Sequence, residues 1–331
     1  MKFLVSSDTH FSSRPKDQYR LGLFPWLIEQ QEKYQTDATF LLGDLTENKD
    51  KHESSLVNQI VYGLTLLKPP VYILKGNHDY IDADMPFFKF VSHIEGVEFV
   101  TKSKFLNKFD IMMIPHQPTQ SDLEACTETG SEMAFFLHNT FDGAIAETGA
   151  RMGGLTPPPS LNNARWCVSG DIHRPQQVGP VTYCGAPWHC RFGDDYKPRV
   201  LLIEDDNGIK CGRWEDLYFP APRKWSLTVR DHEEILNHKD LKKGDQVKIT
   251  IELAREEVVE WGRIKDQVLK ACQSRGVEVY GVDMKTSSSV HERIKQEGPT
   301  GKTTQEYFKS FCVSENVPSQ IKQAGLKILG G

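Results

Sequence analysis

Five short polar motifs constrain this chain most, because each of them follows a strand-like stretch. The stretches are Phe3–Val5, Thr39–Leu42, Val71–Leu74, Met133–Leu137 and Trp166–Val168. The motifs that follow them are Asp8-Thr9-His10, Gly43-Asp44, Gly76-Asn77-His78-Asp79, His138 and Gly170-Asp171-Ile172-His173. Residues at the carboxyl ends of strands in a layered α/β fold meet along one edge of the sheet. The sequence therefore predicts an α/β fold in which the five motifs converge.

The side chains in these motifs form a nitrogen and oxygen donor set. Imidazole, carboxylate and amide groups together suit Mn²⁺, Fe or Zn²⁺ better than Ca²⁺. Two cations need about this many ligands, with one carboxylate bridging them, and paired metals serve phosphoester hydrolysis. The pattern predicts a metal-dependent phosphoesterase.

Any one of these motifs alone is more often a turn or a buried structural residue, with roughly one chance in ten of being catalytic. Five motifs in this order, each after a strand-like stretch, are much harder to obtain by accident. The segment Gly76-Asn77-His78-Asp79 is the most specific, and Gly76 is expected to permit a tight turn with positive φ.

These motifs resemble the calcineurin-like metallophosphoesterases, and in particular their SbcD branch. That branch is the nuclease subunit of the double-strand-break processing complex of bacteria and phages. The resemblance is carried by Asp171-Ile172-His173-Arg174-Pro175, by Tyr183-Cys184-Gly185-Ala186-Pro187 and by the six residues from His138 to Gly143. It covers residues 1–222 well and the remainder only in outline.

The resemblance implies two divalent metal ions, Mn²⁺ foremost, with Mg²⁺, Fe or Zn²⁺ as alternatives. The implied ligands are Asp8, His10 and His173 for the first metal, Asn77, His138 and Asp171 for the second, and Asp44 as the bridge between them. It also implies that His78 faces the scissile phosphate and that Asp79 orients His78.

Asp171 departs from the pattern, since the family usually reads Gly-His-x-His at this point. A carboxylate is also a competent Mn²⁺ ligand, so ligation would survive the exchange. The alternative is that Asp171 caps a turn and the second metal is lost.

Pro220, Pro222 and the pair Arg223-Lys224 mark a domain boundary. We expect a phosphoesterase domain over residues 1–222, a small α+β capping domain over 223–295, and a linker with a helical tail over 296–331. The elements expected in the capping domain are strands at Trp225–Val229, Gln246–Leu253 and Val277–Val282 and a helix at Val258–Arg275.

In the first domain, apolar spacing predicts helices at Tyr19–Gln35, Glu53–Lys68 and Phe87–His93. The resemblance implies that helices beside the site form a homodimer, whereas packing on the home sheet is the equally open alternative. The Gly- and Pro-rich stretch Asp142–Ala164 is expected to be a long loop and a candidate substrate flap.

The tail, Thr304–Leu329, has helical apolar spacing. The resemblance implies that it docks on an SbcC-type coiled-coil ATPase, and the open alternative is that it packs on its own domain.

Charge is divided unevenly along the chain. The net charge is −5 overall but +3 for residues 223–331, which carry 19 Lys and Arg against 16 Asp and Glu, so residues 1–222 carry −8. A net-negative protein is not an obvious nucleic-acid binder, because phosphate neutralisation dominates affinity. DNA contact would then depend on local Lys and Arg, on the metals and on a partner.

Polar residues follow the first five residues directly, so the start of the chain lacks the apolar stretch of a signal peptide. No apolar stretch approaches transmembrane length. The seven cysteines are scattered along the chain and include no Cys-x-x-Cys pair. These features predict a cytoplasmic protein with reduced thiols and no membrane contact.

The function expected from the sequence is a Mn-dependent DNA exonuclease, with endonuclease activity also open, in repair, recombination or phage DNA metabolism. One rival is a small-molecule phosphodiesterase, against which the cap and tail argue. The other is a weakly catalytic scaffold that binds DNA ends, against which the intact motifs argue.

Overall fold

A computed structural model describes residues 1–128, 133–206, 213–286, 304–314, 317, 322–323 and 325–326. The predicted linker at 296–303 and the end of the predicted tail helix lie outside the described residues. The described part contains two six-stranded sheets and one three-stranded sheet, with helices on their faces. The prediction of a layered α/β fold is confirmed.

The strands are β1 Lys2–Ser6, β2 Ala38–Leu41, β3 Val71–Leu74, β4 Val97–Val100, β5 Lys104–Leu106, β6 Ile111–Ile114, β7 Ala134–His138, β8 Cys167–Gly170, β9 Gln176–Val178, β10 Val181–Tyr183, β11 Val200–Glu204, β12 Arg213–Leu217, β13 Lys224–Val229, β14 Gln246–Leu253 and β15 Glu278–Thr286. The first sheet has the order β12-β11-β1-β2-β3-β4, and the second has β5-β6-β7-β8-β10-β9. Strands β1 to β4 run parallel, as do β6, β7, β8 and β10. The carboxyl ends of the central strands therefore lie together.

The two large sheets pack face to face. Successive residues of β1 alternate between faces, as a pleated strand requires: Phe3 and Val5 enter the core between the sheets, whereas Leu4 enters the core beneath the helices. The rings of Phe40 and Phe136, one from each sheet, lie 4.5 Å apart. Both faces of the apolar strands are thus covered. This packing holds the ends of the strands, from which the polar motifs follow, in fixed positions.

The helices are α1 Leu23–Tyr34, α2 Ser54–Leu66, α3 Gln120–Thr127, α4 His232–Leu236, α5 Trp261–Ser274 and α6 Thr304–Ser314. The predicted helix at Tyr19–Gln35 is only partly correct, because Pro15–Gly22 is a 3-10 helix and the α-helix begins at Leu23. Pro25 is the third residue of α1, where a missing N–H costs no helical hydrogen bond.

Two other predicted elements differ in detail. Helix α2 agrees with the prediction, but Phe87–His93 is a 3-10 helix and not an α-helix. The expected loop Asp142–Ala164 is held by two isolated β-bridges, Phe141 to Leu155 and Ile145 to Arg151. This segment is therefore anchored within the described structure, and its proposed role as a flap stays a prediction.

The third sheet contains β13, β14 and β15, all parallel. One of its faces packs Val247 and Ile249 against Val268 of α5. The predicted domain bounds stay predictions, but the strands and the helix lie where the sequence placed them. This unit, residues 224–286, is called the cap below.

A buried ion pair joins the cap to the first domain. Lys224 Nζ lies 3.1 Å from Asp17 Oδ1, and both side chains are about 95% shielded from solvent. Gln246 Nε2 donates to the carbonyl of Lys16 at 2.9 Å. The cap thus packs on the 3-10 helix at Pro15–Gly22, a few residues after the first polar motif.

No helix in the described part of the chain is long and apolar enough to cross a bilayer.

Candidate metal centre

The carboxyl ends of five strands bring the polar motifs together. Strands β1, β2 and β3 of the first sheet and β7 and β8 of the second end at the same edge. Asp8 N donates to the carbonyl of Gly43 at 3.1 Å, and His10 N donates to the carbonyl of Asp44 at 2.9 Å. Asp171 N donates to Asp8 Oδ1 at 3.1 Å, which joins the two sheets. The convergence predicted from the sequence is therefore present.

Four of the converging residues have a left-handed backbone. The φ angles are 52° at Asp8, 40° at His10, 52° at Asp44 and 82° at Asp171. A non-glycine residue in this region costs on the order of 1–3 kcal/mol and persists only where its surroundings hold it. Such strain concentrated at one edge is typical of a functional site.

Three predicted ligands form the first group. One ligand atom each from Asp8, His10 and His173 lie within 4.8 Å of one another. The Nε2 atoms of His10 and His173 are 3.0 Å apart, and the buried Oδ2 of Asp8 has no hydrogen-bond partner among the described residues. Because an unpartnered buried carboxylate oxygen is costly, this arrangement fits a bound cation.

Burial shifts the pKa values of two residues in this group. Burial raises the pKa of the Asp8 carboxyl to about 6. It lowers the pKa of the His10 imidazole to about 3, so that His10 is neutral and available as a ligand. A cation would favour the charged form of Asp8 and the neutral form of His10.

His138 is the centre of the second group. Ligand atoms of Asp8, Asp44 and His138 lie within 4.8 Å of one another. His138 Nε2 is 3.3 Å from Asp44 Oδ1, 3.4 Å from Asn77 Oδ1 and 3.8 Å from Asp171 Oδ1. The predicted residues of the second set therefore surround one imidazole, and Asp8 lies near both groups.

Asp44 lies between the two groups, as a bridging carboxylate must. Its Oδ2 is 3.6 Å from His10 Nε2, whereas its Oδ1 is 3.3 Å from His138 Nε2. Burial acts to raise the pKa of Asp44, but the neighbouring His138, His10 and His78 together outweigh burial and hold that pKa below its usual range. Asp44 is therefore anionic and is placed to contact two cations.

Asp171 lies beside the second group without belonging to the tight cluster. Its Oδ2 accepts a hydrogen bond from Thr140 Oγ1 at 2.5 Å, and its other oxygen faces His138. The carboxylate therefore points into the site and not only into a local turn. Whether it ligates a metal stays a prediction.

His78 is half-buried beside both groups. Its backbone N–H donates to Asp44 Oδ1 at 2.8 Å, and its ring lies 5.1 Å from the ring of His10. Its imidazole falls within 4.8 Å of ligand atoms of His10 and Asp44. The position suits either a group that faces the phosphate, as predicted, or a third ligand.

Asp79 does not have the predicted contact with His78. Its Oδ2 accepts from the backbone N–H groups of Asp44 at 2.8 Å and Gly76 at 2.7 Å, and its Oδ1 accepts from Leu45 N at 2.9 Å. None of the hydrogen bonds described for Asp79 goes to His78. The prediction that it orients the histidine is therefore wrong, and the carboxylate instead ties the second motif to the third.

The reason for glycine at position 76 also differs from the prediction. Gly76 is not among the described residues with positive φ. A Cβ at this position would collide with Asp44 Oδ1. Glycine is required here because the third motif approaches the bridging carboxylate closely.

One contact at the site was missed from the sequence. Glu147, in the Gly- and Pro-rich segment, places Oε1 2.8 Å from His173 Nδ1. This interaction with His173 lowers the pKa of Glu147 to about 2. A carboxylate on the outer nitrogen of a ligating histidine fixes the ring orientation and raises its basicity. A lone Glu in a loop gives no signal in sequence.

Two histidines that are not among the predicted site residues, His116 and His189, have different surroundings. The ring of His116 lies 6.5 Å from that of His138, and its Nδ1 is 3.0 Å from Tyr80 Oη, so it borders the second group. His189 instead accepts from Lys224 N at 3.3 Å and contacts the carbonyl of Tyr196, at the junction with the cap.

A comparison with protein families agrees with this geometry. Residues 1–125 match the family model described as calcineurin-like phosphoesterase. No curated protein matches the chain in sequence. A solved structure described as a novel archaeal phosphodiesterase is 12% identical, with a TM-score of 0.39, over 66% of this chain and 100% of that chain. Residues 1–125 are thus similar to the calcineurin-like phosphoesterases, and this match, together with the clustered ligands, supports a metal-dependent phosphoester hydrolase.

Proposed function

We propose that the protein is a Mn²⁺-dependent DNA nuclease that hydrolyses phosphodiester bonds at this two-metal centre. The observation that carries the proposal is the pair of ligand groups that share Asp8 and flank Asp44. A preference for Mn²⁺ follows from a donor set of imidazoles with carboxylates, which suits Mn²⁺ more than Mg²⁺.

The proposed ligands follow the two groups. Asp8, His10 and His173 hold the first cation, Asp44 contacts both, and the second is held by Asn77, His138 and Asp171. When bound, the two cations lower the pKa of a water and neutralise charge on the phosphate oxygens.

His78 is proposed to protonate the leaving group. Water adds to phosphorus, the bond to the leaving 3′-oxygen breaks, and that oxygen needs a proton. His78 is half-exposed at the edge of the site, and its backbone is fixed on Asp44, so its imidazole is placed to donate this proton. Asp79 supports the step by holding the backbone of the second and third motifs.

The cap supports a polymeric substrate. A small phosphodiester needs no second domain beside the site, whereas a strand of DNA extends beyond the scissile bond and gains from contacts there. The cap packs directly after the first motif, through Lys224 and Asp17. This arrangement favours DNA over the small-molecule alternative.

The proposed partners are a second copy of the chain and a coiled-coil ATPase. Exposed apolar side chains support the homodimer. Tyr62 and Leu66 lie on α2, and Ile81, Met85 and Phe90 lie in the segment that follows β3. For the ATPase, truncation after Lys302 should abolish co-purification with the partner while hydrolysis of short single strands is retained. An unchanged pull-down would reject docking through the tail.

The test of function is digestion of labelled single- and double-stranded DNA with Mn²⁺, in parallel with bis-p-nitrophenyl phosphate. We expect cleavage of both DNA and the small ester. Cleavage of only the small ester would favour a small-molecule phosphodiesterase. DNA binding without hydrolysis of either substrate would favour a scaffold.

A further inference from the structure

A cleft with a volume of about 920 Å³ separates the first domain from the cap. Five cationic side chains and one acidic side chain line it: Arg14, Lys16, Arg191, Lys224 and Lys248, with Asp17. Asp17 is buried and already paired, since its Oδ1 lies 3.1 Å from Lys224 and 3.4 Å from Arg20. The cleft is therefore positively charged, although residues 1–222 carry a net charge of −8. It is a local exception to the acidity of the domain.

Two aromatic rings lie in the same cleft. Phe192 and Tyr280 come from the first domain and the cap, with ring centroids 4.7 Å apart. Lys248 Nζ lies 5.0 Å from the Phe192 ring and Lys16 Nζ lies 4.0 Å from the Tyr280 ring. Alternating cations and rings are the chemistry that binds single-stranded nucleic acid, because cations contact the phosphates and rings stack on bases.

Tyr280 adds a polar feature to this surface. Its hydroxyl is buried and has no hydrogen-bond partner among the described residues. A buried hydroxyl without a partner is costly, so a ligand in the cleft that offers an acceptor or donor would remove the cost.

The cleft borders the first ligand group. Arg14 is four residues after His10, and Arg14 N donates to Ser12 Oγ at 3.2 Å. Asp17, which lines the cleft, lies 3.4 Å from Arg20, and Arg20 donates to the carbonyl of His10. A chain lying in the cleft would therefore lead directly to the metal centre.

We propose that this cleft is the binding track for a single strand of nucleic acid adjoining the scissile phosphate. The proposal rests on the proposed nuclease function and adds to it a preference for single strands. A duplex binds less well here because its bases are stacked on each other, so their faces are not available to Phe192 and Tyr280. The cations alone would bind either form.

The test measures binding without hydrolysis. Fluorescence anisotropy with the full chain in chelator follows a labelled 15-nucleotide oligo-dT and a labelled duplex of the same length. The wild type should bind the single strand more tightly than the duplex. Phe192→Ala should weaken binding of the single strand by roughly 5- to 150-fold, since stacking of one base contributes that much. Its matched control is Phe105→Ala, at an exposed ring on β5.

Salt dependence tests the phosphate contacts separately. Lys248→Ala should reduce the slope of log affinity against log salt by about 0.7, the value for one phosphate contact with a single strand. Lys270→Ala is the matched control, because this exposed lysine lies on α5, which covers the other face of the cap sheet. Thermal unfolding of each variant checks that the fold is retained.

The outcomes separate this inference from the proposed function. If Phe192→Ala and Lys248→Ala bind as the two controls do, the cleft is not the track, even where the wild type cleaves DNA. If tripolyphosphate displaces the oligonucleotide and Phe192→Ala has no effect, the cleft is only an anion site, and the proposal is rejected. If the wild type binds DNA through the cleft but hydrolyses no diester, the proposed function fails while the track stands.

Discussion

The two proposed metal sites differ in how closely their ligand atoms are gathered. Among the described residues, ligand atoms of Asp8, His10 and His173 lie within 4.8 Å of one another, whereas Asp171 of the second site belongs to no such cluster. In the first, Asp8 and His10 are buried, Arg20 donates to the carbonyl of His10, and Glu147 contacts the outer nitrogen of His173. The second is gathered around His138, with its other two ligands 3.4 and 3.8 Å away. It also contains Asp171, at the position where the family that the chain resembles usually has a histidine.

This difference predicts unequal affinities. Ligand atoms that already lie close together bind a metal more tightly than a set in which one ligand, here Asp171, lies outside the cluster. We expect calorimetric titration of the metal-free protein to show two steps, with the first site filled first. Hydrolysis should appear only as the weaker step saturates, because the mechanism needs both metals. A single titration step, with equal affinity at both sites, would show that the two sites do not differ in this way.

Metal removal tests both sites together and should have the largest effect. Treatment with chelator should abolish DNA cleavage, and Mn²⁺ should restore it better than Mg²⁺ because imidazole ligands suit Mn²⁺. The measurement is cleavage of labelled DNA before and after each metal is added back. Undiminished activity after thorough chelation contradicts the two-metal centre.

His78 lies beside both metal sites. Its substitution tests whether its imidazole donates a proton or is a further metal ligand. If it donates a proton, His78→Ala should lower turnover by about 10²-fold or more. The metal content should not change. Atomic emission of the purified variant measures the stoichiometry. Loss of one metal would reassign His78 as a ligand, which its position near His10 and Asp44 also allows.

Asp171 tests the second site alone. If it is a ligand, Asp171→Ala should weaken the second titration step by on the order of 100-fold, the upper end of what supporting groups of a metal site contribute. Asp171→His should retain activity with a changed metal preference. If Asp171 only caps a turn, Asp171→Ala should instead cost about 0.5–2 kcal/mol of stability and leave metal affinity unchanged.

Glu147 tests the first site and should have the smallest effect. Glu147→Gln keeps the shape but removes the charge beside His173, so the first titration step should weaken by roughly 10-fold. The control is Glu29→Gln on the exposed side of α1. An unchanged first step would mean that the contact between Glu147 and His173 does not support the metal.

The sequence alone determined the fold class and the identity of the converging groups. Short apolar stretches such as Val71–Leu74 predict strands because their pattern is local, and the polar residues that follow them mark the strand ends. Because such ends share an edge of the sheet, Asp8, Asp44 and His138 are expected from the sequence to lie together. Helix α5 and the strands of the cap were found in the same way.

Only the tertiary structure decided which atoms meet. Asp79 contacts the backbone of Asp44 and not its neighbour His78, because side-chain direction at a tight turn depends on the opposing strand. Glu147 reaches His173 across 26 positions in sequence, and nothing local marks that contact. Gly76 is required by the approach of Asp44, and the cleft with Phe192 and Tyr280 exists only where two domains face each other. The spacing of apolar residues in a sequence indicates which side of a helix or strand is buried. These contacts join residues that are far apart in the chain, so no regular spacing in the sequence marks them.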